Sequence, residues 1–277
     1  MTQKERKHHT SARLELLSNL GAQYGRIITV EQARQNAAEF GLSENYVRQA
    51  FHHLEKAGWI TRLKRGMYAL TSPLFAVPEP LHEFEIVMHL VEPAAISHWT
   101  AMHYHGFTEQ IPHTTYVLTT ENWRPRQKNS DDPRVYTVDG HNYEFIQVKP
   151  ERFFGIDSVW IGNQNHARVK ITDRERTLID GLIRPQYCGD FGAVIESIHE
   201  HAHELDLDRL VDYALKIDAA TCKRLGWTLS EVMSDVPQLN RLRDVQVAGY
   251  VPLDPTGPKK GHCNNEWHVQ ENLAGKL

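Results

Sequence analysis

Between residues 43 and 52 the chain reads Ser-Glu-Asn-Tyr-Val-Arg-Gln-Ala-Phe-His, and Ser43, Asn45, Tyr46, Arg48, Gln49 and His52 together suit the reading of bases. Asn and Gln amides pair bidentately with adenine, and an Arg guanidinium with guanine, in the major groove. Further along, Arg62, Lys64 and Arg65 crowd a turn at Gly66, where they would meet phosphate or the minor groove. Glu44 argues mildly the other way, because a carboxylate at a DNA-facing helix start repels phosphate. It would instead accept from cytosine or serve helix capping. The rival reading is a protein-binding module whose polar face is merely solvated. It leaves the basic turn unexplained.

Other residue types invite catalytic or metal-binding readings. His98, His103 and His105 are close in sequence, but on one helix only 98 and 105 share a face. The run His199-Glu200-His201-Ala202-His203 falls at the polar end of a helix, where imidazolium complements the dipole. Neither set has metal-ligand spacing and HExxH is absent, so no metal and no cofactor is expected. Asp139, Glu144 and Lys149 loosely resemble the acidic-x-Lys arrangement of metal-dependent nucleases, but Gln147 stands two before Lys149 and Asp139 falls in a turn. Walker A, GxGxxG and GxSxG motifs are missing, as is a Gly-Ser followed by paired aspartates. Cys188, Cys222 and Cys263 are odd in number and widely spaced, which suits a reducing compartment rather than a disulfide scaffold.

The elements that must carry the base-reading residues follow from periodicity. Leu14, Leu17 and Leu20 recur at helical steps, with Gly21 placed as a C-cap glycine. After a short apolar link at Arg26-Ile27-Ile28, Thr29 and Gln32 have the spacing of a capping box, with Ala33, Ala37 and Phe40 on one face. Ser43 caps a third helix whose apolar stripe is Tyr46, Val47, Ala50, Phe51 and Leu54, ending at Gly58. Residues 59–63 then alternate, and 67–70 return as a strand. Three short helices followed by a basic hairpin make a winged helix-turn-helix, with the third helix in the major groove. Pro73, Pro78 and Pro80 mark a linker, so 1–80 forms one domain and 81–277 a second.

The second domain mixes both periods. Helices are expected at about 81–91, 97–104, 173–183, 191–203, 207–215 and 219–225. Strands are expected at 116–119, 159–161 and 167–171, with a hairpin from 135 to 148 turning at Asp139-Gly140. Residues 245–251 read as extended. Arg174-Glu175-Arg176 reads as a solvated helix start. The fold class is thus α+β: a winged helix, then a larger domain with a mostly antiparallel sheet and several helices.

At 277 residues with 40% hydrophobic and 24% charged side chains, the composition is that of a globular protein of one or two domains. No apolar run of about 18 residues exists, and the charged start lacks an apolar segment, so a cytoplasmic address without membrane partner is expected. The net charge of −4 hides an asymmetry: residues 1–72 carry 11 Lys and Arg against 6 Asp and Glu, leaving 20 against 29 elsewhere. A basic head on an acidic body suggests two different partners.

Residues 25–70 resemble the N-terminal domain of the AbiEi family, antitoxins of type IV, abortive-infection (phage defence) toxin–antitoxin systems. The stretch from Ser97 through Trp99-Thr100-Ala101, His105-Gly106 and Gln110 to Pro112 is similar to the family's Ser-x-x-(Ser/Thr)-Ala-x-x-x-His-Gly-x-x-x-Gln-x-Pro pattern. Residues 171–180, 219–229 and 253–255 also fit, so the resemblance runs from about 25 to 269. It implies a transcriptional autorepressor that binds double-stranded promoter DNA. It also implies a C-terminal domain that neutralises a cognate nucleotidyltransferase-like toxin, with no enzymatic activity of its own. The acidic body would cover a basic channel on that toxin, or mediate contacts between copies on DNA. A metal-dependent nuclease directed by the winged helix, and a solitary ligand-sensing repressor, remain as alternatives.

Overall fold

A computed structural model describes residues 3–39, 43–71, 81–123, 134–162, 167–233 and 235–273. The chain forms two compact units, Met1–Ile86 with Thr137–Gly140, and Val87–Tyr136 with His141–Leu277.

The first unit runs α1 (Gln3–Tyr24), β1 (Ile27–Thr29), α2 (Val30–Glu39), α3 (Glu44–Lys56), β2 (Ile60–Lys64) and β3 (Met67–Leu70). The strands form an antiparallel sheet in the order β1-β3-β2. Three helices with a terminal hairpin and a third strand are the winged-helix arrangement. The helix stop expected at Gly21 is displaced: α1 continues to Tyr24, which packs on the core, and Gly25 at φ 82 takes the left-handed position. Gly21 instead lies inside the helix, since Tyr24 carries the apolar stripe one turn beyond Leu20. The expected link at 26–28 is the start of β1, a strand paired with β3. The capping box holds, with Thr29 N donating to Gln32 Oε1 at 2.7 Å and Gln32 N to Thr29 Oγ1 at 3.1 Å. Phe40 lies outside the described residues.

The second unit, with α4 (Glu83–Leu90) leading into it, continues β4 (Ala94–Ile96), α5 (His98–Tyr104), β5 (Thr114–Thr119), β6 (Val135–Val138), β7 (His141–Gln147), β8 (Ile156–Ile161) and β9 (Ala167–Thr172). Then come α6 (Arg174–Ile183), α7 (Phe191–His201), α8 (Leu207–Ile217), α9 (Ala219–Ser230) and α10 (Gln238–Arg243). Last are the short strands β10 (Val251–Pro252), β11 (His262–Asn264) and β12 (Val269–Glu271). The six-stranded sheet has the order β6-β7-β5-β4-β9-β8. It is mixed: β4–β5 and β8–β9 are antiparallel, whereas β5–β7 and β4–β9 are parallel. The Asp139-Gly140 turn has φ 51 and 79, as a type I′ hairpin demands. Helices α6 to α9 bury Leu178, Ile195, Leu210 and Leu225 in a common core. Residues 245–250, read as extended, carry no strand; α10 precedes them, and only from Val251 does a small sheet form, in the order β10-β12-β11.

Candidate nucleic-acid interface

Helix α3 is built to present one polar face. Ser43 is its N-cap and its Oγ accepts from Tyr46 N at 3.2 Å, so the serine predicted to touch DNA also ties the helix start. Val47, Ala50, Phe51 and Leu54 are buried, which fixes the roll of the helix. Asn45, Arg48, Gln49 and His52 are all exposed on the opposite side. Tyr46 departs from them. It is half-buried against the unit's core, and its hydroxyl is buried without a hydrogen-bond partner. Gly58, at φ 72, ends the helix and lets Trp59 N reach Leu54 O at 2.9 Å.

The wing is β2, the turn at Arg65-Gly66, and β3. Arg62 and Arg65 are exposed, while Lys64 is half-buried, and that burial pulls its ammonium below the usual lysine range. A register shift between Arg62 and Lys64 swings Leu63 fully into the interior. Gly66 O accepts from Val30 N at 2.9 Å, pinning the turn to the start of α2. Phe51 of α3 meets Tyr68 of β3 edge-on, ring centroids 5.0 Å apart, which joins helix to wing.

Between α2, α3 and the wing lies a cleft of about 250 Å³, with Arg34, Arg48 and Arg62 on its walls and Phe51 and Tyr68 among its apolar lining. Burial pushes the Tyr68 phenol above its ordinary pKa, with Arg62 opposing and Glu55 adding to the shift. Arg34 was invisible to base-reading logic because it lies on α2. Its guanidinium is 2.6 Å from Glu44 and 3.5 Å from Glu31. The carboxylate that seemed out of place at the start of α3 is therefore held by a cation from the preceding helix.

The remaining candidates separate into structural roles and isolated groups. His98 is fully buried, with Nδ1 2.9 Å from Ser97 Oγ, and His105 Nε2 meets Thr172 O at 2.7 Å. The histidine of the first family-like stretch thus binds the backbone that opens the second. Arg174-Glu175-Arg176 is not a solvated helix start: Glu175 and Arg176 are buried, with Arg176 Nε 3.0 Å from Asp180 and Arg174 2.8 Å from Glu204. Asp173 explains this inward turn, since it caps α6 by accepting from Arg176 N at 2.7 Å while Tyr213 donates to its other oxygen. Asp139 sits in the hairpin turn, and Lys149 is exposed, 4.0 Å from Glu151. Among the described residues, no three His, Cys, Asp or Glu side chains assemble to hold a metal ion. Nor is any described helix long and apolar enough to cross a membrane. Lys259 and Lys260 stand exposed in a loop of the second unit, and the basic stretch at 124–128 lies outside the described residues.

His98 carries a testable pH dependence. Burial drives its imidazole down to about 4, with Asp180 opposing and Arg184 and Arg176 reinforcing. The unfolded chain, near 6.5, therefore binds a proton between pH 6.5 and 4 that the folded chain refuses. Stability is full above pH 6.5 and falls on acidification by up to about 1.4 kcal/mol per pH unit from this group. His98→Asn removes the titration and tolerates the left-handed φ of 49 at this position. Urea unfolding at pH 7.5 and 4.5 should show the variant losing about 2–3 kcal/mol less than wild type. Equal losses would mean that His98 is protonated as readily in the fold as outside it.

A helix-turn-helix unit with a basic wing defines the class: a winged-helix module in a chain that continues as a larger α+β unit. Residues 15–71 match the model of a family described as "Transcriptional regulator, AbiEi antitoxin". That N-terminal segment is thus similar to the regulator domain of the AbiEi antitoxin family. The crystal structure of the RV2827C protein from Mycobacterium tuberculosis is similar in fold, with a TM-score of 0.59 and 12% identity, covering 94% of this chain and 90% of that one. No curated protein matches the chain.

Proposed function

We propose that the chain is a DNA-binding antitoxin and transcriptional autorepressor whose first unit reads double-stranded promoter DNA. Its second unit, in this reading, neutralises a nucleotidyltransferase-like toxin. One observation carries the DNA half: the segment matched by the regulator family is the segment whose helix α3 exposes Asn45, Arg48 and Gln49 beside a basic wing. The toxin half rests on the antitoxin description of that family and on the excess of carboxylates after residue 72, which suits a basic surface. The regulator description also supports a role without catalysis.

The experiment is fluorescence anisotropy of the full chain on its upstream promoter and on a scrambled duplex. Arg48→Ala or Gln49→Ala should each cost about 1–3 kcal/mol on the promoter and relax the preference for it. Lys64→Ala with Arg65→Ala should instead weaken both duplexes alike and reduce the salt slope by about 2. Promoter and scrambled duplex bound equally by wild type would sink the repressor reading. Co-expression with a nucleotidyltransferase-like toxin, sought first in the neighbouring reading frame, tests the other half: growth should be restored by the full chain and not by residues 1–80 alone.

A further inference from the structure

We propose that the cleft between α2, α3 and the wing seats one phosphodiester group of the DNA backbone, and that Glu44 fills its cationic wall in the free protein. The inference rests on the DNA-reading function above and adds to it a residue, Arg34, that base-reading logic does not reach.

Three arginines line this cleft from three separate elements: Arg34 from α2 and Arg62 from β2, which are left for the backbone, and Arg48 from α3, whose guanidinium adds to the field while serving base reading. Phosphate is the anion such an arrangement suits, since guanidinium forks donate pairwise to its oxygens. The apolar lining sharpens the effect. Val30, Val47, Phe51 and Tyr68 line the same cleft, so its field is less screened than on an open surface. At about 250 Å³ the cleft has room for a phosphate group, and it lies between the helix and the wing that straddle the backbone in a winged-helix complex.

The free protein already supplies an anion. Glu44 Oε1 is 2.6 Å from Arg34, and the two side chains are 62% and 42% exposed, so the pair is wet and weak. A phosphodiester can displace it. Glu44 is then not a misplaced repulsive charge but an internal competitor: its pairing lowers affinity for any duplex and leaves base contacts to supply the difference. The preference between sequences is unchanged by it, but binding to generic DNA is pushed further from saturation at a given concentration. Glu55, on the same cleft, adds to the effect from the far end of α3.

A double-mutant cycle on promoter DNA with the full chain tests this. Arg34→Gln should lower affinity about five- to tenfold near 0.1 M salt and reduce the salt slope by about one. Glu44→Gln should raise affinity about threefold in the wild-type background and change it little when Arg34 is already Gln. An equal gain in both backgrounds would show that Glu44 acts by plain repulsion, and the internal-competitor idea falls. If Arg34→Gln binds like wild type while Lys64→Ala with Arg65→Ala weakens binding, the DNA reading stands and the cleft is wrong. If wild type ignores DNA altogether, both fall. Calorimetric titration with inorganic phosphate separates the sources: no saturable binding is expected, and saturable binding lost in Arg34→Gln would make the cleft a site for a free anion instead.

Discussion

Replacing Arg176 by Met should destabilise the second unit by about 3–5 kcal/mol, measured by urea or thermal unfolding of the full chain. Arg176 is 1% exposed and Asp180 3%, so the pair has given up its water. Arg176 repays that loss with Nε on Asp180 at 3.0 Å, Nη1 on Phe154 O at 3.0 Å, and its guanidinium over the Phe154 ring at 4.4 Å. Met keeps much of the volume and none of the donors, leaving a carboxylate in a low dielectric beside an unpaired carbonyl. Asp180 Oδ2 already lacks a hydrogen-bond partner, so the carboxylate has no second contact to fall back on. The double variant Arg176→Met with Asp180→Leu should recover part of the loss, because no buried charge then remains. A cost below about 1 kcal/mol in the single variant would mean that water reaches the carboxylate, and the pair is not what holds α6 in place.

That prediction turns on a feature the sequence conceals, and the reason is physical. A charged triplet at a helix start is ordinarily solvated, and nothing in Arg174-Glu175-Arg176 says which way the helix is rolled. The roll is set by Tyr213 from α8 and by Phe154, both distant in sequence, acting on Asp173 and Arg176 at the helix start. The head of the chain was legible for the opposite reason. In α3 the cap, the stripe and the stop are all local, and in the 135–148 hairpin the Asp-Gly turn alone dictates the geometry. Strand β4 gave no signal because three buried residues, Ala-Ala-Ile, cannot show alternation. The parallel pairing of β5 with β7 is likewise non-local. The polar face of α3 could be read from period alone, whereas the Arg34–Glu44 contact depends on how two helices meet, which period does not encode.

The C-terminal sheet yields the second large effect. Trp267, 1% exposed, lies directly on Gly226 of α9, where an added Cβ would fall 2.1 Å from its ring. Arg243 covers the indole at 4.9 Å, and Asn264 Oδ1 accepts from Trp267 N at 3.1 Å, which fixes the turn before β12. Trp267→Ala should therefore cost about 3–5 kcal/mol through the cavity it leaves among the core side chains. Gly226→Ala perturbs the same contact from the other side. The ring must move, and overpacking of this kind costs about 1–3 kcal/mol. Alanine is also the better helix former by about 1 kcal/mol, a gain hidden while the indole occupies the space. With Trp267 already Ala, Gly226→Ala should turn from destabilising to stabilising, giving a coupling energy of about 2–4 kcal/mol in a chemical-denaturation cycle. If Gly226→Ala lowers stability equally in both backgrounds, the glycine is required by the helix backbone and not by the tryptophan it faces.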